Sequence, residues 1–172
     1  VDIIIMMKNR TALLMGAVLF LCGCEYETPL TEKHTTPIDP AVLGLWETVL
    51  ENSDEEKERM MILKFSSTEY IIHYPVRENA MYFRAYPIKV GGVSCVQLQA
   101  IGSNEGPPDQ GEKGLYHVAS YQLSDVKLEI KLLNEKLVDD ELKKSAELTR
   151  AFLEHKENKN LFVNPVEFRR IK

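Results

Sequence analysis

Four histidines and three cysteines are the residues of this chain with the widest chemical range. His34, His73, His117 and His155 lie far apart, and no HxH, HExxH or CxxC spacing arises among them and the cysteines. A zinc site needs three or four such ligands closing on one ion, so none is expected. Cys95 sits among Val93, Val96 and Leu98. A thiol in apolar surroundings stays protonated and inert, and a reactive one here would need His73 or His117 as its base across the strands. Ser103, in the glycine-flanked stretch 102–106, has no base arranged near it, and GxSxG, P-loop and GxGxxG patterns are absent. The residues therefore point to a non-enzymatic protein without a cofactor or metal. Cys22 and Cys24 are set apart from this chemistry because they close an apolar run.

That run begins after Lys8 and Arg10 and holds 14 uncharged residues, 11–24. As a helix it would span about 21 Å at ~1.5 Å per residue. A bilayer core is ~30 Å thick, so the run suits the hydrophobic region of a signal peptide better than a membrane span. A buried core helix would have to be apolar on every face and begin beside a basic stretch. Met6 or Met7 is the expected start, with residues 1–5 as upstream sequence.

Leu21-Cys22-Gly23-Cys24 resembles the lipobox of bacterial lipoproteins: Leu, a small residue, Gly or Ala, then Cys. Cys22 occupies a place where Ala, Ser, Thr or Val is more usual, and is itself small. The resemblance implies cleavage between Gly23 and Cys24 and a diacylglyceryl thioether on Cys24. It further implies a membrane anchor of palmitate-type acyl chains in the cell envelope, on the periplasmic face of the outer membrane in a Gram-negative host. One acyl chain binds marginally, whereas two or three hold a protein stably. Processing would leave 149 residues with 19 basic and 25 acidic side chains, a net charge of −6. Such a balance argues against nucleic acid and against long-range attraction to anionic membrane as partners.

The elements that must carry any function come next. A chain of 172 residues with 44% hydrophobic and 27% charged side chains is ordinary globular material, enough for one domain and too polar for a polytopic membrane protein. Residues 24–40, with Pro29, Pro37 and Pro40, lack periodicity. They read as an acylated Cys24 and a spacer of up to ~50 Å at ~3.1 Å per residue, holding the domain 41–172 clear of the headgroups. Eight strands are expected at 44–50, 59–65, 69–74, 80–86, 93–101, 115–123, 126–133 and 161–171. Ser66-Ser67-Thr68, Gly91-Gly92 and Ser124-Asp125 turn the hairpins. Leu128, Ile130 and Leu132 alternate with Lys127, Glu129 and Lys131, the mark of a strand with one wet face. The acidic stretch 51–58 reads as a solvated loop and 101–114, with four glycines and two prolines, as a long mobile one. A helix capped by Asp139 or Asp140 is expected to run to about 156–160, presenting Leu142, Ala146, Thr149, Phe152 and Leu153. Pro165 places the last strand at an edge or a bulge. Together these describe a mainly β domain: an antiparallel eight-stranded up-and-down barrel or strongly curved sheet with one helix before the last strand.

Gly44-Leu45-Trp46 resembles the Gly-x-Trp signature of lipocalin and avidin-like (calycin-type) barrels. The resemblance implies that Trp46 packs across the barrel floor beneath a basic side chain from the last strand, Arg169 or Arg170, a cation–π contact of ~0.5–2 kcal/mol. Met61, Leu63 and Phe65 form one face of their strand and Met81 and Phe83 another, with Tyr116, Tyr121 and Gln97 near them in strand order. These are either plain core or the lining of an apolar pocket. Two functions follow. One is an anchored binding module for a small apolar ligand or a cell-envelope component. The alternative is a structural, interaction or inhibitor lipoprotein with a packed barrel. A cavity above roughly 300 Å³ would favour the first and a filled interior the second.

Overall fold

Strand residues that alternate in side-chain direction, joined by short turns, leave few ways to bury one face, and this chain takes the closed one. The computed structural model describes residues 25–50, 56–77, 80–108 and 114–171; the apolar run, Cys22, Gly23 and Cys24 lie outside them. The strands are β1 (Gly44–Thr48), β2 (Arg59–Lys64), β3 (Tyr70–Tyr74), β4 (Met81–Val90), β5 (Val93–Ser103), β6 (Tyr116–Ser124), β7 (Lys127–Leu133) and β8 (Phe162–Arg170), with α1 (Ser145–His155) before β8. Each pairs antiparallel with the next and β8 pairs with β1, so the sheet is a closed up-and-down barrel. Closure gives every strand a neighbour on both sides.

Turn chemistry sets the registers. Gly91 and Gly92 have φ of +57° and +93°, the pair of positive values that a two-residue hairpin turn with the right twist requires. A Cβ at Gly91 would also lie 2.3 Å from Leu153 Cδ2, because α1 crosses over this turn. Pro165 sits where the β7–β8 ladder shifts register opposite Ile130 and Leu132, beside Asn164 at φ +56°. The strand is thus bulged at Pro165, where its ladder runs to β7 alone, and it pairs with β1 further on, at Phe168–Arg170.

Two apolar clusters result. Trp46, Met60, Ile62, Tyr70, Ile72, Phe83, Leu98, Leu128 and Phe168 fill the barrel. A second cluster lies outside it, where α1 and residues 26–30 cover the outer faces of β4, β5 and β6.

Several expectations are corrected here. On β2 it is Met60 and Ile62 that point inward, while Leu63 and Phe65 are 50% and 63% exposed. The run Met60-Met61-Ile62-Leu63 has no polar residue to mark its parity, and the register with β1 and β3 decides it. The helix begins at Ser145 without a side-chain cap, because Asp139 Oδ1 accepts from Glu141 N in a tight turn instead. Its buried residues are Leu148 and Phe152; Ala146 and Leu153 face solvent. Glu58 is not solvated: it is 8% exposed and bonded to Tyr74 and Arg77. Nor do residues 25–39 stand free as a spacer. They lie along the barrel wall, with Tyr26 fully buried and Leu30 at 1% exposure.

Candidate functional site

The barrel floor is assembled from the chain entering β1. Asp39 caps the 3-10 turn Pro40–Val42 by accepting from Ala41 N at 2.8 Å, and Val42 is thereby pushed into the barrel, where it is 4% exposed. Trp46, fully buried, donates from Nε1 to Val42 O at 2.8 Å. Arg170 lies over the indole, Cζ 4.3 Å from the ring centre, and donates to Leu43 O at 2.7 Å and to Ala41 O. Gly44 has φ +129° and a Cβ there would stand 3.0 Å from Arg170 Nη1, which gives the glycine before Leu45-Trp46 its physical reason. Arg169 points the other way, to the outer surface, where it meets Glu47 at 2.8 Å.

Above the floor is a cavity of about 60 Å³. Met60, Ile62, Phe83, Leu98 and Leu128 supply its apolar wall, with Tyr70, Tyr121 and His117 as the polar-tipped members. The Tyr70 hydroxyl accepts from Asp39 N at 2.6 Å, and burial raises the phenols of Tyr70 and Tyr121 above their ordinary range. At the far end Tyr74 donates to the Glu58 carboxylate, which also meets Arg77 at 3.2 Å. Cys95 belongs to the outer cluster and His117 to the interior, on opposite sides of the wall. His73 faces outward, stacked on Tyr82 with ring centres 4.5 Å apart, and burial holds its imidazole below the ordinary value. Among the described residues no three His, Cys, Asp or Glu side chains stand close enough to hold a metal, and no helix is long and apolar enough to cross a membrane.

Of the residues expected at a pocket, Phe83 and Tyr121 line the cavity and Met81 packs at its margin. Met61, Leu63 and Phe65 are outside by the parity shift. Gln97 and Tyr116 are outside too, and they serve the strap of residues 25–39. Gln97 Oε1 accepts from Leu30 N at 2.7 Å and from Thr31 N at 3.3 Å, while its Nε2 donates to Thr31 O and to the Tyr86 hydroxyl. Tyr26 and Tyr116 exchange backbone hydrogen bonds of 2.8 Å each, and the Tyr26 hydroxyl donates to Val138 O. His34 continues the strap by packing at a 30° tilt against the Tyr86 ring and reaching Glu69 at 3.1 Å, which Arg84 also grips at 2.6 Å. The signal for this latch in the sequence was a large apolar residue, Tyr26, and then Leu30, in an otherwise polar segment.

No family model matches the chain. Searches of curated proteins and of solved structures return no significant match either.

Proposed function

We propose that the chain is a bacterial lipoprotein, held in the cell envelope by acyl chains on Cys24, whose non-enzymatic barrel acts through its outer surface on another envelope component. The observation that carries the surface-acting part is the size of the cavity. Sites that enclose a small-molecule ligand run to roughly 300–1,000 Å³, and the inside of this barrel offers about 60 Å³; the roomier space, about 410 Å³, is a cleft beside Gln122, Ser124, Lys127, Glu129 and Glu167. Its interior is a core, which leaves the outside to do the work. The anchor is supported by Leu21-Cys22-Gly23-Cys24 at the end of an uncharged run preceded by Lys8 and Arg10. The lipocalin-like reading is supported by Trp46 on the floor beneath Arg170. In a Gram-negative host the protein would face the periplasm from the outer membrane.

A small apolar ligand is the second reading, favoured by the apolar cavity wall and by Met60, whose unbranched side chain can move aside. Native mass spectrometry of the full-length protein, extracted from the envelope of its host, separates the two. The expected mass is that of a chain beginning at Cys24 with its acyl groups and nothing more; a stoichiometric apolar molecule retained on the protein would replace the surface reading with the ligand reading. Metabolic labelling with a palmitate analogue tests the anchor, since Cys24→Ser should abolish incorporation. Equal label on variant and parent would remove it.

A further inference from the structure

Strands that outrun their neighbours leave backbone N–H and C=O groups without a ladder, and proteins guard such edges with proline, lysine or a bulge. Among the described residues, 86–90 of β4 runs past the end of β3, 162–166 of β8 past its pairing with β1, and 120–124 of β6 past its pairing with β5. The first stretch carries Pro87 and Lys89, and the second carries Pro165 beside Asn164 at φ +56°. The third, Ser120-Tyr121-Gln122-Leu123-Ser124, has no charge, proline, glycine or bulge. It is laddered to β7 on one side and has no other backbone partner among the described residues. Of the three edges it is the unguarded one.

What lies behind this edge says what fits it. The pairing of β5 with β6 ends at Val96 and Ala119. From there β5 stays with β4, where Val93 and Cys95 belong to the cluster beneath α1 and Ser94 is exposed, while β6 stays with β7. The two strands part in a fork, and the interior cavity reaches its apex: Val96, Ala119, Ser120 and Tyr121 all stand in the cavity wall. At ~30 Å³ per water, its volume of about 60 Å³ is that of two waters. That is too little for a small-molecule ligand and suits one short aliphatic side chain. An open backbone edge selects an extended polypeptide, and an apolar recess beside it selects an apolar residue at the inward position. Ser120, Gln122 and Ser124, on the outer side, present no charge to complement. Residues 93–95 bound the fork on its other side, so what enters is a single extended segment and not the side of a second barrel.

We propose that the 120–124 edge of β6 is a strand-addition site. It takes an extended, uncharged segment of another envelope protein and seats one aliphatic side chain of that segment in the cavity at the fork. The proposal rests on the reading of the barrel as a surface-acting protein and names the kind of segment it acts on. The test titrates the full-length lipidated protein, in detergent micelles, with an end-blocked peptide of alternating threonine and valine, and follows hydrogen exchange amide by amide. Without peptide, alternate amides of 120–124, those turned away from β7, should exchange freely. With peptide they should slow about tenfold or more, while the amides of β7 should not change. The same peptide N-methylated at every second residue keeps the side chains, loses the pairing N–H groups, and should slow nothing. Ala119→Val adds two carbons to the cavity wall and should weaken binding several-fold, with unchanged Trp46 emission as the sign of an intact barrel. A peptide alternating threonine with alanine should bind the parent several-fold more weakly, for want of a side chain to fill the recess. Slow exchange at 120–124 before any peptide is added, dimerisation of the chain through this edge, equal slowing by the N-methylated peptide, or indifference to both the Ala119→Val and the alanine changes would each overturn the proposal. Slowing by the peptide on a protein that also retains a stoichiometric apolar molecule in native mass spectrometry would remove the surface-acting reading alone. No slowing on a protein of the expected mass would remove strand addition alone.

Discussion

Arg170 sits on the face of Trp46, its Cζ 4.3 Å from the ring centre, and at the same time ties down the carbonyls of Leu43 and Ala41. One side chain thus joins the last strand to the turn that plugs the barrel and to the first strand. Trp46 is the chain's single tryptophan and has no exposed surface, so its emission should be blue-shifted in the native protein and move red on unfolding. Trp46→Ala should cost ~3–5 kcal/mol in urea denaturation, as deletion of a large buried aromatic does. Arg170→Lys keeps a cation but loses the planar fork that reaches two carbonyls while lying on the ring, and should cost ~1–2 kcal/mol. Exposed-type emission from the folded protein, or a Trp46→Ala variant as stable as the parent, would show that the floor is not built this way.

The strap is predicted to open without the barrel. It contributes no strand to the ring of eight, yet Tyr26 is wholly buried against the second cluster. Tyr26→Ala should therefore weaken docking of residues 25–31 by ~3 kcal/mol or more while leaving the closed sheet in place. In native-state hydrogen exchange, the Tyr116 amide, which donates to Tyr26 O at 2.8 Å, should exchange about a hundredfold faster in the variant. Trp46 emission should not move. A simultaneous loss of both signals would mean that strap and barrel fold as one unit.

Much of this architecture was legible in the residues, and the reasons it was not elsewhere are physical. Gly91-Gly92 and the alternation at 127–132 each specify their structure locally, and the hairpins drawn from them give the observed order of eight strands. The link of Gly44 and Trp46 to Arg169 or Arg170 comes from the resemblance to the Gly-x-Trp signature and not from any local pattern, and of the two arginines it is Arg170 that lies over the ring. The parity of β2 could not be read: with methionine, isoleucine and leucine at consecutive places, either face could be inward, and only pairing across to Gly44 and Ile72 settles it. The docking of residues 25–34 was hidden behind their prolines and charges. It depends on Gln97, a polar residue on a buried outer face, whose amide satisfies Leu30 and Thr31. Glu58 reads as one more acid in an acidic run, and nothing local distinguishes it from its neighbours; its partners Tyr74 and Arg77 are 16 and 19 residues away.

Acid should loosen the outer charge clusters in a defined direction. The Arg84 guanidinium holds the Glu69 carboxyl below its ordinary 4.5, with His34 adding to it, and Arg169 and then Arg59 do the same for Glu47 against the opposing effect of burial. A carboxyl whose pKa is lower folded than unfolded binds fewer protons in the native state. Its stabilisation is present above the unfolded value and drains away as pH falls from about 4.5 through the lowered native value. Both pairs are partly solvated, so the effect per pair should be modest and should shrink in salt. Urea midpoints measured from pH 7 down to 3 should fall for the parent and fall less steeply for Glu69→Gln. Parallel curves would show that the Glu69–Arg84 pair is not formed in solution.

Cys95 gives the opposite sign at the alkaline end. It is 2% exposed beneath α1 and the strap, in the cluster that holds Ile88, Val118 and Phe152, and burial pushes its thiol up to about 12 from 9.0. A thiolate is disfavoured in that setting, so the native state keeps its proton where the unfolded chain has lost it. The contribution to stability is intact below the unfolded value of 9.0 and is lost as pH rises from there toward about 12. Two measurements follow. A disulfide reagent at pH 8 should react with Cys95 only at the rate at which the outer cluster opens, and Tyr26→Ala, which frees the strap above it, should quicken that reaction in proportion to the faster Tyr116 exchange. Cys95→Ala, at the cost of a small cavity, should remove the thiol's share of the alkaline decline, whereas Cys95→Ser should lose ~1–3 kcal/mol at neutral pH by burying a hydroxyl among aliphatic side chains. Immediate stoichiometric labelling of the folded parent would mean that the thiol is not covered as described, and with it the closure of this flank by strap and helix would fail.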